Sequence, residues 1–320
     1  MVLLHSLTTT PVTSILLWAF KRFFSNTEGL SNTAIGVQAL QNNINGSDNT
    51  ATGVLALTSN TVGQDNTANG AVALQNNSAG SNTAVGFGAL QSNATGNDNT
   101  ATGAGALLSN VGAQNTENGS QALLSNASGS ENTAEGYQAL FATTTGSNNT
   151  GIGRQALTST TTGSDNTAVG RDVLANNTTG SNNIAVGVGA GVDLITGDDN
   201  IYIGNSGSSE ADTIRIGDSQ TGSFIAGISG VPVTGTAIVV NVFGQLGVAS
   251  SSQRFKEDIT PMNQASEAVL ALKPVTFRYK KKIDPAGTPQ FGLLAEDVEK
   301  VNPDLVVQDK KGKPYSVRYD

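Results

Sequence analysis

The sequence predicts a mainly β protein: a repetitive β-solenoid of 17-residue coils, assembled as a trimer, followed by a small and partial α+β C-terminal domain. Three observations lead there. A nine-residue motif returns at a nearly constant interval over most of the 320 residues. Aromatic residues make up 5% and charged residues 13% of the chain, against 38 glycines, which leaves too few large side chains for one thick globular core. The charge balance also changes near residue 250. Residues 1–250 carry 5 basic and 15 acidic side chains, a net −10, and residues 251–320 carry 12 and 10, a net +2.

These counts exclude several functions. There is no cysteine, so disulfides, thiolate zinc sites and cysteine nucleophiles are absent. The one histidine, His5, lies outside every regular segment, so a Ser-His-Asp mechanism lacks its base. An acidic repeat region is a poor match for nucleic acid, whose phosphates require a basic surface. Nothing in the composition calls for a cofactor or a metal.

Residues 1–30 are expected to be a capping or ill-defined segment. The apolar stretch from Ile15 to Phe20 falls far short of the ~20 residues that span a bilayer, so no membrane insertion is expected. It also lacks the early basic region and small-residue cleavage site of a signal peptide. A membrane-surface helix using Trp18, Phe20, Lys21, Arg22, Phe23 and Phe24 is the alternative.

Residues 31–217 form the expected solenoid. The motif reads NTAIGVQAL, NTATGVLAL, NTANGAVAL and so on, with glycines at Gly36, Gly53, Gly70, Gly86, Gly103, Gly119, Gly136, Gly153, Gly170, Gly187 and Gly204, spaced by 17 or 16 residues. A strict period of this kind identifies a stacked repeat. Leucines from Leu40 to Leu174 stand four residues after each glycine and should form an apolar ladder. Asparagines from Asn32 to Asn200 stand four before it, placed for an amide ladder along the stack. A second glycine column, including Gly46, Gly63, Gly80 and Gly96, suggests a second corner with positive φ. One coil therefore reads as a short strand through TAxG, a bend, the Ala-Leu segment and a polar turn. A leucine and a few alanines per coil make a thin core, which favours three chains sharing an axial one.

Asp48, Asp65, Asp98 and Asp165 read as turn residues rather than calcium ligands, because the glycine-aspartate nonapeptide of calcium-binding β-rolls is absent. The threonine column Thr33 to Thr167 raises the possibility of ice binding. Its would-be partner column runs Ile35, Thr52, Asn69, Val85, Thr102, Asn118, Glu135, too irregular for a matching face. A polysaccharide-degrading site would need paired carboxylates in a cleft, and the coils carry no insertion to build one. The NTAxG repeats resemble the head repeats of trimeric autotransporter adhesins and the shafts of phage tail fibres.

Residues 218–250 read as a β-rich neck, with short apolar runs broken by Gly and Pro. From residue 251 the pattern changes again. Ser251-Ser252-Gln253-Arg254-Phe255-Lys256-Glu257-Asp258-Ile259 is followed by Leu272-Lys273-Pro274-Val275-Thr276-Phe277-Arg278-Tyr279, by Gly292-Leu293-Leu294-Ala295-Glu296-Asp297-Val298 and by Pro303-Asp304-Leu305-Val306. These four ordered motifs resemble the intramolecular chaperone domain of endosialidases and other phage tailspikes, peptidase family S74. The resemblance implies a Ser-Lys dyad, with Ser251 as nucleophile and Lys256 as general base, and a scissile bond between Ser250 and Ser251. The position after the nucleophile, usually Asp in the family, is Ser252 here; counting back from Lys256 selects Ser251. The family also implies self-assembly into a homotrimer and release of the chaperone after folding. Residues 251–320 would be a partial domain, ending at Asp320 ahead of the family's terminal helices.

Glu296 and Asp297 are expected to begin a short solvated helix, and Lys280-Lys281-Lys282 a solvated turn. The function this implies is a fibre or adhesin, on a virion tail or an extracellular surface, which matures itself by one cleavage and meets a cell-surface glycan or receptor. A non-cleaving structural or surface-binding solenoid is the alternative.

Overall fold

The computed structural model describes residues 16–18, 25–221, 238–241, 244–248, 252–259, 267–282, 287–309 and 311–317. They divide into two compact units, Met1–Ser223 and Phe224–Asp320.

The first unit is the expected solenoid. Thirteen three-residue strands stack in sequence order as one parallel sheet, from β1 (Leu16–Trp18) and β2 (Thr33–Ile35) through β7 (Thr116–Asn118), β8 (Thr133–Glu135) and β9 (Thr150–Ile152) to β12 (Ile201–Ile203) and β13 (Ile214–Ile216). Each motif position lies against its counterpart one coil away, as in Thr33 on Thr50, Ala34 on Ala51 and Ile35 on Thr52. The stack starts one coil ahead of the repeats legible in the sequence, because Leu16–Trp18 pairs with β2. The region proposed as a surface helix therefore includes a strand, and Phe20, Lys21, Arg22, Phe23 and Phe24 lie outside the described residues.

The strand alternation places its middle residue inside, usually alanine, and leaves the outer two exposed or half-buried. The Ala-Leu segment turns inward again. Its leucines have left-handed backbone, φ 52° at Leu57 and 49° at Leu107, a conformation that costs a non-glycine residue about 1–2 kcal/mol. Burying the leucine side chain returns about 1.5–3 kcal/mol. The two nearly offset each other, so a coil gains its stability from stacking. Backbone hydrogen bonds to the next coil, such as Thr50 N to Asn66 O at 2.8 Å and Leu57 N to Ala73 O at 3.1 Å, supply it on every side.

The predicted asparagine ladder is present. Asn66 donates from both its backbone N (3.1 Å) and Nδ2 (3.0 Å) to Asn49 Oδ1, while the same Nδ2 reaches Ala79 O at 2.9 Å. A second amide ladder, not anticipated from the sequence, runs through Asn43, Asn60, Asn77, Asn93, Asn110 and Asn126, as in Asn93 Nδ2 to Asn77 Oδ1 at 3.0 Å. It closes a polar turn inside the coil by donating to a glycine carbonyl, such as Asn93 Nδ2 to Gly96 O at 2.7 Å.

These two ladders change the reading of the core. The sequence suggested a thin core, which favoured three chains sharing an axial one. In the structure each coil closes its core within one chain, with Leu57, Leu74, Leu90, Leu107 and their successors 0% exposed. In most coils two buried, hydrogen-bonded amides occupy the volume that the sequence reading left empty.

The glycine columns also divide differently from expectation. The first is left-handed or beyond, with φ 138° at Gly103. The second, Gly46 to Gly180, does not have positive φ. Its glycines answer to space: a Cβ on Gly46 would collide with the Gly63 carbonyl of the next coil and sit 2.8 Å from Asn60 Nδ2. The second positive-φ corner is taken instead by Asp48, Asp65, Asp98 and Asp165, at φ 56° to 59°, where aspartate is tolerated.

The solenoid ends differently from how it runs. Gly191 stands in the leucine column, and the ring of Tyr202, which replaces the usual alanine, fills the vacated space. The Tyr202 hydroxyl donates to Glu210 Oε1 at 3.1 Å, and Arg215 holds the same carboxylate through Nε and Nη2, both at 2.6 Å. The Arg215 hydrogen bond lowers Glu210 below the usual carboxylate range, and burial beside that carboxylate raises Tyr202. This latch caps the last coil.

Among its described residues the second unit holds three antiparallel pairs: β14 (Ile238–Val240) with β15 (Leu246–Val248), β16 (Val275–Phe277) with β17 (Gln290–Gly292), and β18 (Val306–Gln308) with β19 (Pro314–Val317). Two short helices, α1 (Glu267–Ala271) and α2 (Ala295–Val301), join them. Val298, Val306 and Val317 form its small core, flanked by Leu272, Leu293, Ala295 and Leu305. Among the described residues no helix is long and apolar enough to cross a membrane.

Candidate functional site

The site singled out in the sequence begins at Ser250 and Ser251, which lie outside the described residues. The described part starts at Ser252, whose extended backbone (φ −66°, ψ 136°) leads into a 3-10 turn, Gln253–Phe255. Lys256 leaves that turn, with its N–H donating to Gln253 O at 3.1 Å and its own backbone extended. The chain thus turns between Ser252 and Lys256. Lys256 is exposed in the single chain. A lysine serves as a base near neutral pH when burial penalises its ammonium form. Any such burial here has to come from groups packed onto this turn.

The other motif segments fall on regular elements. The Leu272–Tyr279 motif contains β16, and Phe277 meets Tyr279 edge-to-face with centroids 5.3 Å apart. The Gly292–Val298 motif runs from β17 into α2, where Val298 is the buried member. Glu296 and Asp297 occupy the exposed first turn of that helix, and Asp297 pairs with Lys300 at 2.8 Å, which lowers the Asp297 carboxyl. They are not a carboxylate pair facing a cleft. Lys280, Lys281 and Lys282 are exposed, the last two in a turn. Pro303–Leu305 is a 3-10 turn capped by Asn302, whose Oδ1 accepts from Asp304 N at 3.0 Å. The repeated valines and leucines of these motifs therefore build the small core, while Ser252 and Lys256 are exposed.

Among the described residues no three His, Asp or Glu side chains are grouped to hold a metal ion. Sequence reasoning passed over one group with chemical potential, Glu117, which is 1% exposed inside the solenoid. Its signal was available: from Ala34 to Ala185 this middle-strand column is alanine or glycine except at Glu117.

Searches of curated proteins and of solved structures return no match to the chain. A family model does match: residues 251–307, the stretch containing the Lys256 turn, β16, β17 and α2, fit the chaperone of endosialidase, peptidase family S74.

Proposed function

We propose that the protein is a tail-fibre-like structural protein whose C-terminal segment guides assembly of three copies and then separates from the solenoid by one self-cleavage. The observation that carries this reading is the chaperone-family match at residues 251–307, which follows a thirteen-strand parallel solenoid in the chain, after the 218–250 segment. A solenoid built from near-identical coils has many wrong registers open to it, and a separate assembly domain supplies the order that the repeats do not.

The cleavage assigned to this site uses Ser251 and Lys256. Lys256 Nζ takes the Ser251 hydroxyl proton, and Oγ attacks the Ser250 carbonyl carbon. The Ser250–Ser251 C–N bond breaks as its nitrogen gains a proton, leaving an ester. Water then hydrolyses the ester, freeing the Ser250 carboxylate and a new Ser251 amine. The exposure of Lys256 in one chain favours a dyad that becomes competent only when copies pack over the turn. The mature solenoid would present its outer rows of hydroxyl, amide and occasional aromatic side chains, such as Phe87 and Tyr137, to a cell-surface glycan or receptor.

Intact-mass measurement on the expressed chain, with Ser251→Ala and Lys256→Ala beside it, tests this. A fragment beginning at Ser251 in the parent and missing from both variants supports the dyad, and light scattering of three chain masses supports the trimer. An uncut parent with three chain masses leaves the non-cleaving assembly module, the second reading, which the same exposure of Lys256 also favours. A folded monomer overturns both.

A further inference from the structure

Four side-chain oxygens among the described residues are buried without a hydrogen-bond partner: Glu117 Oε1 and Oε2, Asn126 Oδ1 and Thr143 Oγ1. All four fall in two successive coils, those carrying β7 and β8. We propose that these coils form an opening point in the solenoid, held closed while Glu117 carries a proton and weakened when Glu117 ionises.

Glu117 takes the middle, inward position of β7, opposite Ala101 on β6 (Thr100–Thr102) and Ala134 on β8. The core around these coils is apolar, built from Ala101, Ala106, Leu107, Ala122, Leu123 and Ala134. Asp98, Glu131 and Glu135, the charged residues on these coils, are exposed. From residue 25 to residue 153 the sequence has no lysine, arginine or histidine, so no cation is available to pair with the buried carboxylate. Burial accordingly raises Glu117 well above the usual carboxylate range. A neutral carboxyl without partners is costly at this site, and an ionised one costs far more.

Beside it the second amide ladder is broken. Asn126 Nδ2 donates to Asn110 Oδ1 at 2.7 Å, but the next member of the column is Thr143, which has no amide to donate back to Asn126 Oδ1. A solenoid's stability is a sum of coil and neighbour terms, so defects gathered in adjacent coils lower the cost of opening there before elsewhere.

The direction with pH follows from linkage. The folded value of Glu117 lies above its unfolded value, near 4.5. The stabilisation from the bound proton is complete below that unfolded value and is lost as pH rises through the folded one. Opening between β7 and β9 is therefore favoured on the neutral to alkaline side.

The test is hydrogen exchange by mass spectrometry on the full chain, Glu117→Ala and Glu117→Gln, from pH 5 to pH 9, compared at equal pH so that intrinsic exchange cancels. Peptides covering 49–82 serve as the internal control. In peptides covering 115–148 the parent should exchange at least tenfold faster than Glu117→Ala at the alkaline end, and the gap should narrow toward pH 5. Glu117→Gln should lack the pH dependence. Equal protection of parent and Glu117→Ala at every pH overturns the proposal, as does a difference spread evenly over 49–148. Glu117→Ala restores the residue that the column carries elsewhere, so loss of folding is not its expected outcome.

Discussion

Asn115 and Asn99, one coil apart, are joined twice: the backbone N–H and the Nδ2 of Asn115 both donate to Asn99 Oδ1, at 3.0 and 3.2 Å. Asn99 Nδ2 in turn donates to Asn82 Oδ1 at 3.2 Å and to Gly112 O at 3.0 Å. One buried amide therefore satisfies groups in the coils before and after its own. Removing it strands several of them at once, and each stranded buried group costs about 1–3 kcal/mol. Asn99→Ala should lower stability by roughly 3 kcal/mol or more. Asn99→Leu should do no better, since the deficit is in hydrogen bonding rather than volume. Thermal unfolding followed by circular dichroism checks both, and a loss below about 1 kcal/mol would mean that water replaces the amide.

The broken ladder gives the opposite prediction. Thr143 and Thr160 interrupt the amide column between Asn126 and Asn177, and the Thr143 break leaves Asn126 Oδ1 and Thr143 Oγ1 unpartnered. The double substitution Thr143→Asn with Thr160→Asn restores the column. A stability gain of about 1–2 kcal/mol is expected from two rescued groups. At about 2–4 °C per kcal/mol for a unit of this size, Tm should rise by a few degrees. Guanidinium unfolding at unchanged m-value provides a second reading of the same gain.

Much of this was legible in the sequence because a repeat reports its own geometry. The TAxG strand, the leucine column and the Asn32–Asn200 ladder each follow from a residue type recurring at one place in the period. The second ladder was harder, because Asn43 and Asn60 sit in variable, turn-rich stretches where asparagine already has a local explanation. The left-handed leucines could not be anticipated, since propensity assigns that backbone to glycine, asparagine or aspartate. Glu117 was hidden by the repeat itself: with a match at every surrounding position, one different letter passes as variation. The serine-lysine segment was legible only through family resemblance, because a serine and a lysine five residues apart specify no geometry.

The glycines separate steric from conformational demand, and two substitutions distinguish them. At Gly103, φ is 138° and an added Cβ would meet the Gly119 carbonyl carbon at 2.6 Å and Ser120 N at 3.0 Å. Gly103→Ala combines strain with a backbone clash and should cost roughly 3 kcal/mol. Gly88 has φ 66° and no neighbour nearer than Leu108 Cδ1 at 3.5 Å. Its column holds Gln38, Leu55 and Gln121 at φ 58° to 62° in other coils. Gly88→Gln should therefore change stability by no more than about 1 kcal/mol. Paired chemical unfolding of the two variants is the measurement, and equal losses would overturn the distinction.

The latch at the end of the solenoid predicts acid sensitivity confined to the last coils. Glu210 binds Arg215 through two 2.6 Å contacts and accepts from Tyr202, and the Arg215 hydrogen bond is the largest cause of its lowered pKa. A carboxylate whose folded value lies below its unfolded value, near 4.5, contributes stability that is present above the unfolded value. That contribution disappears as pH falls through the folded value. Arg215 is partly solvated, its side chain 44% exposed, so screening limits the pair to about 1 kcal/mol or less. An effect of that size frays an end rather than unfolding the stack. Exchange of peptides covering 195–217 should accelerate below pH 4.5 relative to peptides from the middle of the solenoid. Arg215→Ala should show the faster exchange already at neutral pH and lose its acid step. Tyr202→Phe should keep the ring that fills the space beside Gly191, lose only the hydrogen bond to Glu210, and produce a smaller change than Arg215→Ala. An acid step of equal size in Arg215→Ala and the parent would assign it to other carboxylates.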